Sequence, residues 1–227
     1  MIRPLTALAL LAAAPSLAAP PANVPAWPNT PLARVEALAV LQSLNATLLS
    51  SDSATLTLDS WCVRHHLAPA GTRVIAERVR DADKPVTAVL RAHLQVGADE
   101  PIRYRHVRLR CGELVLSEAD NWYVPARLTP EMNAALDSSD IAFGRAVQPL
   151  HFRRQTLSAK LLWSPLPDDW DERAAPVDVP AGAAIAIPDH VIEHRAMLRL
   201  PDGTPFSEVV EDYTGAVLAF PPPAFAR

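Results

Sequence analysis

Glycine is scarce in this chain, with 7 residues in 227. It forms no Gly-rich phosphate loop, and no G-x-S-x-G elbow of a serine hydrolase is present. Cysteine occurs twice, at Cys62 and Cys111, so at most one intramolecular disulfide can form, and two free buried thiols are the alternative. Cationic excess is absent too. The formal charge of -4 argues against general nucleic-acid binding, which needs an extensive basic surface. No apolar run reaches the roughly 20 residues that cross a bilayer. What is plentiful is proline, at 23 residues, and a hydrophobic fraction of 49% that suits one globular domain.

The opening "MIRPLTALALLAAAPSLAAP" has the three parts of a secretory signal. Arg3 supplies the positive start, Leu5 to Ala14 the apolar centre, and Ser16-Leu17-Ala18 a small-x-small cleavage site. Residues 1–19 are therefore expected to be removed, leaving an exported and periplasmic protein, and no cysteine follows to carry a lipid anchor. Export would expose both thiols to an oxidising compartment, which favours a Cys62–Cys111 bridge. The proline-rich stretch 20–31 reads as a linker, 32–220 as the domain and 221–227 as a proline-rich tail.

Along the domain, residues 32–51 carry apolar side chains at helical spacing, and Asp52 or Ser53 can cap a second helix from about Thr55. "TRVIAERV", "VTAVLRAHLQV", "IRYRHVRLRC" and "LVLSEADNWYV" are β-rich, the last two joined by a Cys-Gly-Glu turn. "TPEMNAALDSS" is expected as a helix behind a threonine cap, and "HFRRQTLSAKLLW" as a strand. The stretch 191–215 is expected as a hairpin closed by Pro-Asp-Gly. Helices first and an antiparallel meander after them make a single α+β domain, a sheet with helices packed on it.

His190-Val-Ile-Glu-His194 fits the inverted zinc-protease signature, but Pro188 and the alternating residues after it make a strand. Positions four apart on a strand are roughly 13 Å from each other and cannot share a metal. His65 and His66 diverge as neighbours, and no metal site is expected. Asn45 heads a glycosylation sequon inside the first helix.

"RYRHVRLRCG" (103–112) places four arginines in ten residues. On a strand, Arg105 shares a face with Val107, Leu109 and Cys111, while His106, Arg108 and Arg110 share the other. Arg103 has the inward parity but stands at the strand's entrance. An arginine on the apolar face needs a partner, because a buried unpaired charge is costly.

Four ordered pieces of the chain resemble the chorismate lyase family. They are "LLSSDSATL" (48–56), "RHVRLRCGELVLSEA" (105–119), "NWYVPARLT" with "AFGRAV" (121–129 and 142–147), and "DGTPFSEVVEDY" (202–213). The resemblance implies a lyase that eliminates pyruvate from chorismate to give 4-hydroxybenzoate, without a cofactor. It implies that Arg105 and Glu211 bind the carboxylate and hydroxyl ends of the substrate and carry the chemistry. Ala54 and Phe143 then stand at the ring-contacting positions, where the family has methionine and leucine. His106 would replace Arg105 if the alignment gap lay elsewhere. Arg153 and Arg154 could serve a second carboxylate, although a surface position is the expectation for both. The chemistry needs little apparatus beyond a guanidinium on a carboxylate and a dry pocket that orients the substrate. The same clamp without turnover would make a periplasmic binding or sensory module for small aromatic carboxylates. A monomer is favoured, with no nucleic-acid partner.

Overall fold

The computed structural model describes residues 26–80, 82–179 and 182–224. The signal segment 1–19, residues 20–25 of the proline-rich stretch, and residues 225–227 of the tail lie outside the described residues. Helix α1 spans Pro31–Leu49 and α2 spans Ala54–Arg64. Thr30 caps α1 by accepting from the Ala33 N–H, and Ser53, one of the two expected candidates, caps α2 by accepting from Leu56 N–H. Strand β1 (Ile75–Val79), helix α3 (Ala88–Leu94) and strands β2 (Arg103–Cys111) and β3 (Leu114–Tyr123) follow. Two short helices, α4 (Pro130–Ser138) and α5 (Phe143–Ala146), precede strands β4 (Arg153–Leu161), β5 (His190–Arg199) and β6 (Pro205–Thr214).

The six strands form one sheet in the order β1-β2-β3-β6-β5-β4, with every neighbouring pair antiparallel. The α+β expectation holds. Gly112 turns the β2–β3 hairpin with φ of +57°, a conformation that favours glycine. Register then fixes the faces. Arg105 lies opposite Asn121, and Ala119 opposite Glu211. Because side chains alternate, Arg105, Val107, Leu109, Ala119, Asn121, Val209 and Glu211 all fall on one face, which α1 and α2 cover.

On that inner face the first two helices pack. Helix α1 is long and apolar enough to pass for a membrane span by length and composition. Its side chains Ala33, Ala37, Leu41, Leu44 and Leu48 recur at helical spacing and are buried in the main core. Trp61 on α2 donates its indole N–H to the Val217 carbonyl, anchoring the helix to the end of the chain. Cys62 and Cys111 are bridged, with Cα atoms 6.1 Å apart, so the disulfide ties α2 to the last residue of β2.

Two expectations need correction. The run "VTAVLRAHLQV" forms helix α3 instead of a strand. Thr87 caps it, and Leu90 and Leu94, four apart, bury against Trp122, Val124 and Met197 on the outer face of the sheet. Tertiary packing overrode its β-branched content. The other is the end of the proline-rich stretch, expected as linker. Trp27 is buried and donates to the Leu218 carbonyl, and Pro28 pairs with Ala184, so the packed unit starts before residue 31.

Candidate functional site

A second core cluster, built from Tyr123, Met132, Leu136, Phe143, Phe152 and Phe206 among others, adjoins the main one. A pocket lies at the seam between the two. The main core contributes Val107, Leu109, Ala119 and Val209 to its walls, and the second contributes Phe143, Phe152 and Leu198. Its cavity is about 40 Å³. One water needs about 10–15 Å³ on the same measure, so the space is that of a few waters.

The polar lining is Arg105, Asn121, Arg154, Glu211 and the start of α2 from Asp52 to Thr55. All four positions carried over from the resemblance, Ala54, Arg105, Phe143 and Glu211, line this one pocket. They come from α2, β2, α5 and β6, elements far apart in the chain. Gly144 lets α5 press against the cap of α2, since an added Cβ there would sit 2.7 Å from the Ser53 hydroxyl.

Arg108 and Arg110 take the outer face as their parity demands, and Arg103, of inward parity, is half-exposed at the strand's entrance. Arg103 pairs with Asp137 at 2.7 Å, Arg108 with Glu118 at 3.0 Å, and Arg110 with Glu77 at 2.9 Å and Glu113 at 3.1 Å. His106 lies on the outer face 2.9 Å from Asp120, so it cannot replace Arg105 in the pocket. Arg105 is 2% exposed. Its one hydrogen bond runs 3.5 Å to the Ile141 carbonyl, and its buried Nε has no partner among the described residues. Burial pushes its pKa down, and the charges of Tyr123, Asp137 and Asp140 offset this only in part.

Arg154 corrects the surface expectation. Its side chain is 4% exposed, and a guanidinium nitrogen lies 2.5 Å from Glu211 Oε2. Arg153, next along β4, does point outward at 81% exposure and bonds Asp52. The Tyr213 hydroxyl also donates to Glu211 Oε2, at 3.1 Å. Burial lowers the pKa of Arg154, but the charge and hydrogen bond of Glu211, with the charges of Tyr213 and Asp52, together outweigh it and the net shift is upward. Burial and the same carboxylate hold the Tyr213 hydroxyl well above its ordinary value. Asp52 joins the pocket's rim to β4 by accepting the Arg154 backbone N–H at 2.9 Å. The charged lining is thus Arg105, Arg154 and Glu211, all buried, with the half-exposed Asp52 at the rim, which is engaged with Arg153 and the Arg154 backbone.

The other sequence candidates lie elsewhere. His190 faces Glu118 on the outer side of β5, whereas His194 is buried on the inner side and bonds Asn45 at 2.8 Å. A register shift between His190 and Ile192 separates their parity. Asn45, the sequon residue, is therefore engaged with His194. Burial lowers the His194 pKa, with Glu211 opposing.

Sequence reasoning missed Asp52, Asn121, Phe152 and Arg154 as lining residues. Asn121 was accessible to it, because it sits at the register position opposite Arg105. Arg154 was not, because nothing in the exposed pattern of β4 separates it from Arg153.

Fold and pocket define a single-domain α+β protein with a cavity lined by two buried arginines and a buried glutamate on the face of the sheet that α1 and α2 cover. The chain is 59% identical over 197 residues to the uncharacterized protein y4mC of Sinorhizobium fredii (strain NBRC 101917 / NGR234), a match covering 87% of this chain and 83% of that protein. It belongs to the family of that protein. No family model matches the chain. Among solved structures, PhnF from Mycobacterium smegmatis superposes with a TM-score of 0.48 and 14% identity over 78% of this chain and 70% of its own. The effector domain of the same protein gives 0.46 and 14%, over 72% and 89%. The effector binding domain of the Bacillus subtilis trehalose repressor gives 0.36 and 12%, over 67% and 97%. Scores of this size carry no argument about the site.

Proposed function

We propose that the pocket binds a small aromatic monocarboxylate, with Arg105 as the clamp on its carboxylate. One observation carries this: Arg105 is buried, lines the cavity, and has no carboxylate within ion-pair distance among the described residues, while each of the three other arginines on its strand has at least one. A guanidinium so placed loses its hydration without a return until an anion arrives. Its planar fork matches a carboxylate with two parallel hydrogen bonds. The surrounding Phe143, Phe152, Val107, Leu109 and Val209 suit the faces of a ring. The ligand reading is that of a binding or sensory module. Calorimetry with benzoate and 4-hydroxybenzoate tests it: wild type should bind, and Arg105→Ala should not. Equal binding by the two proteins would sink the clamp.

Turnover of chorismate is the second reading, favoured by the convergence of Ala54, Arg105, Phe143 and Glu211 on one pocket. In it the enolpyruvyl ether leaves as pyruvate and the ring aromatises, with Glu211 on the ring hydroxyl. Chorismate carries two carboxylates, whereas Arg154 is already engaged by Glu211 and Arg105 alone of the two buried arginines lacks an ion pair among the described residues, which favours the monocarboxylate. Incubation with chorismate followed by chromatography separates them. Release of 4-hydroxybenzoate and pyruvate establishes the lyase, and its absence alongside binding leaves the module. Export through the segment 1–19 belongs to the same proposal. Mass spectrometry should find a mature terminus at Ala19 or Pro20, and an intact Met1 on native protein would refute it.

A further inference from the structure

Helix α1 is apolar on both of its sides. One side packs on the sheet. The opposite side carries Leu32, Val35, Ala39, Gln42, Ala46 and Leu49, all exposed, with Leu32 at 63% and Val35 and Leu49 at 42%. A helix on the surface of a soluble monomer normally turns a charged face to water. Here none of the exposed residues of the helix is charged. Its only two charged residues, Arg34 and Glu36, are half-buried, and Arg34 is engaged by Asn29 and the Pro165 carbonyl. The six exposed residues are spaced 3, 4, 3, 4 and 3 apart. That is the alternation of the a and d positions of a coiled coil, which keeps a seam aimed at one partner helix over several turns. Leu161 on β4 stands opposite the core residue Ile192, so it has inward parity, and it is exposed on the same side of the sheet as α1.

We propose that this seam is a homodimer interface, in which α1 of one protomer lies antiparallel against α1 of a second copy about a two-fold axis. The monomer favoured by the sequence is thereby replaced. Three features select a second copy as the occupant. The seam is complementary to itself. An antiparallel two-fold sets Leu32 against Leu49, Val35 against Ala46 and Ala39 against Gln42, so bulk at the ends flanks a slimmer middle where two helices can approach closely. It is also free of charge, so laying it on itself brings no like charges together, and the opposed helix dipoles attract. A bilayer fits less well. Helices that lie in the lipid interface carry lysine and arginine beside the apolar stripe, whereas the one basic residue of α1 is turned to Pro165. The formal charge of -4 opposes an anionic membrane surface as well. None of the six residues lines the pocket, so ligand binding and pairing are separate properties.

Sedimentation velocity of the purified mature protein over a concentration series reads the pairing. Wild type should pass from monomer to dimer with a Kd of about 10 μM, in the weak range for a contact carried by a single helix. Val35→Lys with Ala46→Lys places like charges at both 35–46 contacts and should raise the Kd by about a hundredfold or more. Val35→Glu with Ala46→Lys places opposite charges at the same contacts and should return it to within about tenfold of wild type. A parallel pair would not recover, because it would oppose Glu to Glu and Lys to Lys. Both double variants alter exposed side chains only, and circular dichroism checks that each is folded. Should the like-charge variant not fold, Val35→Glu alone takes its place as the dissociating variant. A wild type still monomeric at about 1 mM overturns the dimer. A dimer that both double variants leave unchanged overturns it too, since the contact would then lie on another surface. Dissociation by both charge patterns overturns the antiparallel two-fold. Flotation with phosphatidylglycerol vesicles covers the remaining occupant: binding by a monomeric wild type, lost in the like-charge variant, would put the seam on a bilayer and overturn the proposal.

Discussion

The two faces of strand β2 treat arginine in opposite ways. On the outer face Arg108 and Arg110 remain partly hydrated and each holds a carboxylate about 3 Å away. On the inner face Arg105 is sealed among Val107, Leu109, Phe143 and Ala119 and holds none. The outer pairs add little, because exposed ion pairs gain modest Coulomb energy and give up side-chain freedom. The inner charge costs the folded protein stability, and such a cost persists where a site needs it. The contrast separates residues that decorate a sheet from one that waits for an anion.

The largest effect should come from breaking the inner member of that comparison. Arg105→Ala is expected to lose on the order of 2–5 kcal/mol of affinity for an aromatic acid, the scale of a truncated buried charge pair, as calorimetry would read it. Without ligand, Arg105→Met should leave the protein at least as stable to urea as wild type, because a buried charge with no protein carboxylate is removed. A clear loss of stability in Arg105→Met would mean that the guanidinium is structural and the two faces do not differ in kind.

Next comes the closed end of the same inner face, where Cys111 is bridged to Cys62. Replacing Cys62 and Cys111 together by alanine opens a loop with a sequence separation of 49 residues. The chain-entropy model puts the loss at about 4 kcal/mol, to be measured by urea unfolding under oxidising conditions. Ligand affinity should change little, since neither cysteine lines the pocket.

A smaller effect is expected from His65 at the end of α2. It stacks on Phe220 with ring centroids 3.9 Å apart, and burial first, then the charge of Arg64, lowers its pKa from 6.5 to about 4. A base whose folded value lies below its unfolded value resists protonation only in the folded state. Its contribution is thus full above pH 6.5 and is lost as pH falls toward about 4. Screened by solvent at a partly exposed site, the loss should be about 1–2 kcal/mol. Urea midpoints at pH 7 and pH 4.5 for wild type and His65→Phe measure it, and the aromatic variant should lose less than wild type over that interval. Equal losses would show that His65 stays hydrated in the folded state.

The outer face closes the series. Arg108→Ala and Arg110→Ala should each shift both stability and ligand affinity by less than about 1 kcal/mol. A loss of ligand binding in Arg108→Ala with binding kept in Arg105→Ala would invert the two faces.

How far the site was legible depended on whether the signal was local. The inward turn of Arg105 follows from its neighbours alone, because strand parity alternates and Val107, Leu109 and Cys111 mark the buried side. The same holds for Gly112 at the hairpin, for the threonine and serine caps, and for the count of two cysteines that allows one bridge. Ala54, Phe143 and Glu211 were reached through resemblance, and the fold carries all three to the cavity walls.

Other features were decided only in three dimensions. Strand β4 is largely exposed, so Arg153 and Arg154 are equivalent as sequence, and only the register of β4 on β5 and of β5 on β6 turns one of them toward Glu211, 57 positions later. Residues 88–94 read as strand by composition, yet Leu90 and Leu94 found an apolar patch on the outer face of the sheet and paired with it as one turn of helix. Trp27, in a stretch too rich in proline for regular structure, gained a buried acceptor from the Leu218 carbonyl at the far end of the chain. Local periodicity can state which way a side chain points. Which charge it meets depends on distant strands, because that energy arises only once the sheet has closed around it.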